Sequence, residues 1–280
     1  IHYRDEGNPG GLPIVLIHGA MASLHTWEAW VRQLGDQYRL ITLDLPGHGL
    51  TGVVPDGNYD ASAFSAAIAA VVDELGVERF ILGGNSMGGG ATWRFALAYP
   101  ERVMAMILVA SVPPGDWRTA AADGEAESDS TGPIFFKLMN QAWFRATARY
   151  LDPQPLVEQG LRSAYNNSPV VDQQLIDRYY ELSLRAGTRQ AILQRASRYR
   201  SDAAEPPDFG TLSMPTLIMW GARDALIPVA LVPQFEAALP NAESIVYDDL
   251  GHVPMEEDPQ RTAAGVSEFL QRSLRAGNLE

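Results

Sequence analysis

The stretch Arg79-Phe80-Ile81-Leu82-Gly83-Gly84-Asn85-Ser86-Met87-Gly88-Gly89-Gly90 runs from an apolar segment into glycines placed around one serine. Arg79–Gly84 reads as a buried strand, and Met87 to Ala98 as a helix. Between them, Gly84-Asn85-Ser86-Met87-Gly88 matches G-x-S-x-G. A serine on so tight a strand-to-helix turn is held in a strained backbone conformation, and side chains two positions to either side would collide. Glycine at 84 and 88 removes that collision, while Gly89 and Gly90 leave room for close approach of helix to strand.

Outward from this turn, short apolar runs alternate with helical stretches. Pro13–His18 is a strand candidate, four aliphatics bounded by glycines and buried on both faces. Trp27–Leu34 follows as a helix, with Trp27, Trp30, Val31 and Leu34 at helical spacing. Tyr38–Leu43 reads as a strand stopped by Pro46-Gly47, and Ala61–Leu75 as a helix closed by Gly76. Met104–Ala110 is a further strand. The alternation resumes with strand Thr216–Trp220, helix Val229–Leu239, strand Ser244–Tyr247 and a closing helix Asp258–Arg275, where Asp258-Pro259 fits an N-cap followed by proline. The fold class is therefore α/β, a mostly parallel, doubly wound sheet.

The rhythm breaks between Ser111 and Pro207, where no strand is expected. Pro113-Pro114-Gly115 opens the stretch, acidic residues follow from Asp123 to Asp129, and helical segments are separated by Pro153, Pro155 and Pro169. This reads as a helical insertion between two strands of one sheet, dividing the chain into core residues 1–110, an insertion at 111–207 and core residues 208–280. No internal repeat is visible.

Ser86 is a poor nucleophile unless a base takes its proton and an acid holds that base in one tautomer. The chain has five histidines. His252 lies in Leu250-Gly251-His252-Val253-Pro254, between the last strand and the last helix, and Asp224 follows Trp220-Gly221-Ala222-Arg223 just past another strand. Both fall where loops gather at the carboxyl ends of parallel strands. The order Ser86, Asp224, His252 is one of the known triad orders. The remaining histidines lack metal-ligand spacing, and no metal site is expected.

These landmarks together resemble the α/β-hydrolase fold over essentially the whole chain. They are Ile17-His18-Gly19, Asp44-Leu45-Pro46-Gly47-His48-Gly49, the turn at Gly84–Gly88, Tyr99-Pro100-Glu101-Arg102-Val103, Gly221–Asp224 and Gly251-His252. The resemblance implies a Ser86–His252–Asp224 triad, an oxyanion hole of the Ala20 and Met87 backbone N–H groups, no cofactor, and an insertion that caps the active site. It also implies scaffold roles for His18 and His48. His25 is a candidate pocket residue, with a solvated helix start as the alternative. In the insertion, Phe135, Phe136, Met139, Trp143 and Phe144 form an apolar stripe that reads first as packing within the cap. Met139, Trp143 and Phe144 are its candidates for a substrate wall. Arg185, Arg189, Arg195, Arg198 and Arg200 read as a solvated face, or as the source of one clamp for a substrate carboxylate.

The implied activity is hydrolysis of a small or medium apolar carboxylic ester, lactones included. A cofactor-free perhydrolase needs the same triad. Meta-cleavage product hydrolases, which break carbon–carbon bonds, are similar at the Gly-Asn-Ser-Met-Gly-Gly turn. The chain departs from them at Ala20-Met21-Ala22-Ser23, where they are rich in glycine and proline, and after His252, where they usually carry tryptophan. Haloalkane dehalogenases and epoxide hydrolases share the fold but need an aspartate in place of Ser86. A receptor of the same fold is the non-enzymatic alternative.

Composition narrows the partners. With 280 residues and 46% hydrophobic content, the chain is long enough for one large core. It has no cysteine, which removes disulfides and thiolate chemistry. A formal charge of −13 argues against a nucleic-acid backbone as partner, because counterion release needs clustered Lys and Arg. No apolar run approaches the ~18 residues that span a bilayer, so the expected partner is a small ester-like molecule; oligomeric state is not legible. The chain begins at Ile1 and ends Leu279-Glu280, the latter read as a cloning remnant. Localisation stays open between cytoplasm and export or anchoring through a segment ahead of Ile1.

Overall fold

The computed structural model describes residues 1–55, 57–115, 117, 141, 150–198 and 207–276, with side chains of 195–198, 275 and 276 left out. Seven strands form one sheet: β1 Tyr3–Gly7, β2 Pro13–Ile17, β3 Arg39–Leu43, β4 Phe80–Asn85, β5 Val103–Val109, β6 Thr216–Gly221 and β7 Ala242–Tyr247. Their spatial order is β1-β3-β2-β4-β5-β6-β7, and every pairing is parallel except that of β1 with β3. The helices among the described residues are α1 Glu28–Leu34, α2 Ala61–Glu74, α3 Met87–Ala98, α4 Gln154–Ala164, α5 Gln173–Ser183, α6 Thr188–Arg198, α7 Val232–Ala238, α8 Pro254–Glu257 and α9 Pro259–Ala276.

Both faces of the sheet are covered. On β2, Val15 and Ile17 pack with Phe64 and Ile68 of α2, Phe95 of α3 and Phe235 of α7. Their neighbours Ile14 and Leu16 join Trp30 of α1 and Val266 and Phe269 of α9 on the other side. The two-residue period of a strand thus feeds two apolar layers, which is why the central strands read as unbroken aliphatic runs. Each such fully buried side chain contributes about 1.5–3 kcal/mol. Val157 and Leu161 of α4 and Leu175 and Ile176 of α5 extend the second layer. All three helices α4–α6 lie between β5 and β6 in the chain, and no strand occurs there among the described residues.

Strand β1 is absent from the sequence reading. Tyr-Arg-Asp-Glu-Gly carries no apolar alternation, since an edge strand borders solvent. It is held instead by the β3 ladder and by a bidentate pair, Arg39 Nε and Nη2 to the Asp5 carboxylate at 2.9 and 2.7 Å. Two expected helices, Trp27–Leu34 and Val229–Leu239, begin as 3₁₀ turns at Leu24–Trp27 and Val229–Leu231 before becoming α1 and α7. The last helix follows the sequence closely: Asp258 Oδ1 accepts from Arg261 N at 3.1 Å, with Pro259 at the first helical position.

Candidate active site

Ser86 joins the end of β4 to α3 with φ 54° and ψ −117°, a left-handed conformation that costs a non-glycine residue about 1–3 kcal/mol. The surroundings enforce it. Ser86 N donates to Val109 O of β5 at 2.9 Å, and Ser86 O accepts from Val112 N and Gly90 N, both at 3.0 Å. A Cβ on Gly84 would run into the Gly88 carbonyl, and one on Gly88 into the Ile17 and His18 carbonyls. The glycine spacing is therefore a packing requirement of this turn. Met87 opens α3, so helix geometry leaves its N–H without an intrahelical partner.

His252 lies on the loop after β7, with its side chain 5% exposed. Its Nδ1 lies 2.7 Å from Asp224 Oδ2, and the Asp224 side chain is fully buried. Asp224 Oδ1 accepts from Leu226 N and Ile227 N at 2.7 and 2.9 Å, so the carboxylate is oriented by its own loop. A carboxylate on Nδ1 fixes the tautomer that leaves Nε2 free of its proton, which is the state of a base.

The loop carrying His252 is braced from three sides. Asn85 Nδ2 donates to His252 O at 3.0 Å and to Val109 O at 3.2 Å. The Glu257 carboxylate accepts from Gly251 N at 2.9 Å and Val253 N at 3.2 Å; burial pushes its pKa up while those two N–H groups pull it down. From the segment between β5 and β6, Ala164 O at the end of α4 accepts from His252 N at 2.7 Å. Asn85 and Glu257 escaped the sequence reading. The available signals were an amide directly before the serine and an acid at the end of the short helix after the histidine.

Ser86 and His252 line one cavity of about 110 Å³, together with Gly19, Ala20 and Met21. Leu156, Val157, Leu161, Leu182, Ile192 and Leu226 supply an apolar wall. The exposed Ala20 lies beside Met21, which takes φ 63° in the turn after β2. His18 fixes the neighbouring backbone: Nδ1 donates to Gly19 O at 2.7 Å and Nε2 accepts from Leu45 N at 3.0 Å, while burial holds its pKa down. The His48 ring packs tilted against that of His18, their centroids 5.2 Å apart, and also lines the cavity. The Asp44 carboxylate stitches the adjoining loops, accepting from Leu24 N and Leu50 N at 2.8 Å and contacting His2 Nδ1 at 2.7 Å.

His25 is not brought into that cavity wall. Its ring lies between Ser23 Oγ at 3.0 Å and Arg4 Nη2 at 3.1 Å, beside Glu28. Burial and Arg4 push its pKa down, so the ring accepts from the guanidinium as a neutral imidazole. Arg185 and Arg189 do not reach the cavity either; their guanidiniums donate to Gly49 O and Leu151 O at 2.8 and 2.9 Å. Met139, Trp143 and Phe144, with Phe135 and Phe136, lie outside the described residues, as do Arg200 and the side chains of Arg195 and Arg198. No cluster of His, Cys, Asp and Glu able to hold a metal occurs among the described residues. No helix among them is long and apolar enough to cross a membrane.

The family described as alpha/beta hydrolase fold matches residues 13–259. The chain belongs to that family. Over 285 residues it is 27% identical to a 2-hydroxy-6-oxononadienedioate/2-hydroxy-6-oxononatrienedioate hydrolase of Burkholderia vietnamiensis, covering 97% of this chain and 91% of that one. It is 26% identical to Lipase 1 of Psychrobacter immobilis, covering 95% and 79%. A solved structure of a thermophilic esterase from Thermogutta terrifontis superposes with a TM-score of 0.75 at 25% identity, covering 97% of this chain and 93% of that chain. Proteins named as a lipase, an esterase and a dienedioate hydrolase are thus all similar to this chain.

Proposed function

We propose that this hydrolase cleaves small or medium apolar carboxylic esters, lactones included, through an acyl-enzyme on Ser86. The observation that carries the reading is the 2.7 Å contact of His252 Nδ1 with the buried Asp224, on a loop lining the same apolar cavity as Ser86. His252 Nε2 takes the Ser86 proton as Oγ adds to the ester carbonyl carbon. The tetrahedral oxyanion is held by the N–H groups of Ala20 and Met87, the latter favoured by the positive end of α3. The imidazolium returns its proton to the leaving alkoxide, and the alcohol departs. Water, deprotonated by the same imidazole, then adds to the acyl carbon, and Ser86 leaves with the proton as the acid is released. Asp224 keeps the imidazole oriented and stabilises its charged form. No cofactor enters this sequence of steps.

Residues 111–207 act as a cap in this reading. Support comes from α4, which lends Leu156 and Leu161 to the cavity wall and Ala164 O to the His252 loop.

Ser86→Ala should lower the turnover of p-nitrophenyl esters by about 10⁴-fold or more. Retained turnover would sink the assignment. A second reading, carbon–carbon hydrolysis, is favoured by the 27% identical relative named a 2-hydroxy-6-oxononadienedioate/2-hydroxy-6-oxononatrienedioate hydrolase. A chain-length series of p-nitrophenyl esters beside a vinylogous diketone separates the two. Burst kinetics with esters and no reaction of the diketone support the first reading, and the opposite pattern supports the second.

A further inference from the structure

Thr26, Tyr165 and Tyr179 line the cavity, and all three hydroxyls converge on one buried oxygen behind them. Glu256 Oε2 accepts from Thr26 Oγ1 at 2.7 Å, from Tyr179 Oη at 3.4 Å, and from Tyr165 Oη. Tyr165 ends α4, Tyr179 belongs to α5, Thr26 sits in the turn before α1, and Glu256 lies four residues past His252. Core and insertion therefore meet in this cluster. Ester cleavage as described makes no use of it.

The direction of these hydrogen bonds has a chemical consequence. A hydroxyl has one proton: those of Thr26 and Tyr165 are directed to Glu256, and that of Tyr179 is shared between Glu256 and Tyr165 Oη, 3.3 Å away, so all three are used within the cluster. What each oxygen retains for a neighbour in the cavity is its lone pairs. That part of the wall consequently accepts hydrogen bonds and does not donate them. Ser183, also on the wall, directs its proton to Tyr180 O at 2.6 Å. Thr188 is different, a buried wall hydroxyl with no partner among the described residues. No Lys or Arg lines the cavity among the described residues. An anionic substituent would meet lone pairs backed by a carboxyl group, without a cation to offset its desolvation. An ammonium or hydroxyl substituent would meet acceptors already oriented.

On the reading of this cavity as the ester site, we propose that Glu256, acting through Thr26, Tyr165 and Tyr179, is a positioning residue. It selects substrates carrying a hydrogen-bond donor, a hydroxyl or a protonated amine, and rejects those carrying a carboxylate.

The test compares ligands of equal chain length. In the Ser86→Ala protein, calorimetry reads n-pentylammonium, n-pentanol and pentanoate. The Ala20 and Met87 N–H groups offer the carboxylate a place of its own, so the ammonium-to-carboxylate affinity ratio is the quantity compared between proteins. Adding Glu256→Gln should lower that ratio by about threefold or more, because an amide can turn its N–H groups toward the hydroxyl oxygens and free their protons. In the otherwise unaltered enzyme, kcat/KM for p-nitrophenyl hexanoate is compared with its ω-hydroxy and ω-carboxy derivatives. The ratio of ω-hydroxy to ω-carboxy should fall by a similar factor in Glu256→Gln. Ratios are taken within each protein, so a general loss of activity or stability cancels. A ratio unmoved by Glu256→Gln, in calorimetry or in turnover, while the melting temperature changes, overturns the proposal and leaves the cluster as a structural tie. Absence of ester turnover in the unaltered enzyme fails the esterase reading alone, since the calorimetric ratio still judges the wall.

Discussion

The turn at Ser86 and the loop at His252 line one cavity, yet they are built by opposite means. The first is held by backbone. Its strained φ of 54° is fixed by main-chain bonds to Val109, Val112 and Gly90, and by glycines packed against carbonyls. The second is held by side chains, Asp224 and Asn85 arriving from distant positions and Glu257 from the short helix that follows, with a carbonyl from α4. A backbone-built turn tolerates no added atom but needs no partner. A side-chain-built loop tolerates substitution in proportion to the brace removed.

The largest effect should come from the turn. Gly88→Ala places a methyl against two buried carbonyls that cannot withdraw, and should cost about 3 kcal/mol or more, read as a loss of folded yield or a lowered urea midpoint. A variant with unchanged stability would show the turn to be more plastic than its packing implies. On the loop, Asp224→Asn is expected to lower kcat by about 10⁴-fold with the fold intact, because an amide does not hold the imidazole in the required tautomer. Circular dichroism beside stopped-assay kinetics separates that from unfolding. Glu257→Gln keeps the shape but weakens the acceptor for Gly251 N and Val253 N. A drop of about tenfold in kcat with little change in KM is expected, as the loop drifts from its attack geometry. An equal change in both constants would point to a role in binding.

The smallest effect is a pH dependence. Burial pushes the Glu256 carboxyl up to about 7 in the folded chain, against an ordinary value of 4.5. Between these values the folded state holds a proton that the unfolded state has lost, so this group's contribution to stability falls as pH rises through that window. Glu256→Gln cannot titrate. Its melting temperature relative to the parent should therefore improve by about 5–10 °C from acid to alkaline buffer. A constant difference across the window would show that Glu256 is ionised throughout. Thr26, Tyr165 and Tyr179 donate to it and the Arg178 charge acts on it from α5, each drawing its pKa down.

The same contrast explains what the sequence made legible. Helix Met87–Ala98 is found as expected because its signal is local: a strand, a glycine pattern and a helical run within twenty residues. Asp224 and His252 were legible by their places at strand ends and by chain order. Their mutual contact spans 28 residues and the tie from Asn85 to His252 spans 167, and no local periodicity encodes bonds of that separation. Strand β1 was missed for a related reason, since its pairing partner supplies the order that its own charged residues do not advertise. His25 was drawn toward the cavity by its neighbours in sequence, whereas Arg4 and Ser23 hold its ring in a polar cluster. Glu256 and Tyr165 come together from positions 91 residues apart, and only the fold brings their hydroxyl–carboxyl contact to the cavity.

The central claim is that Ser86 carries the covalent intermediate. A fluorophosphonate reacts with an activated serine by losing fluoride, and the adduct is read by intact mass and peptide mapping. One adduct per chain on Ser86, absent in Ser86→Ala and strongly slowed in Asp224→Asn, is the expected result. No adduct on Ser86 in a protein that still hydrolyses p-nitrophenyl esters, or an adduct on another residue that tracks activity, would contradict it.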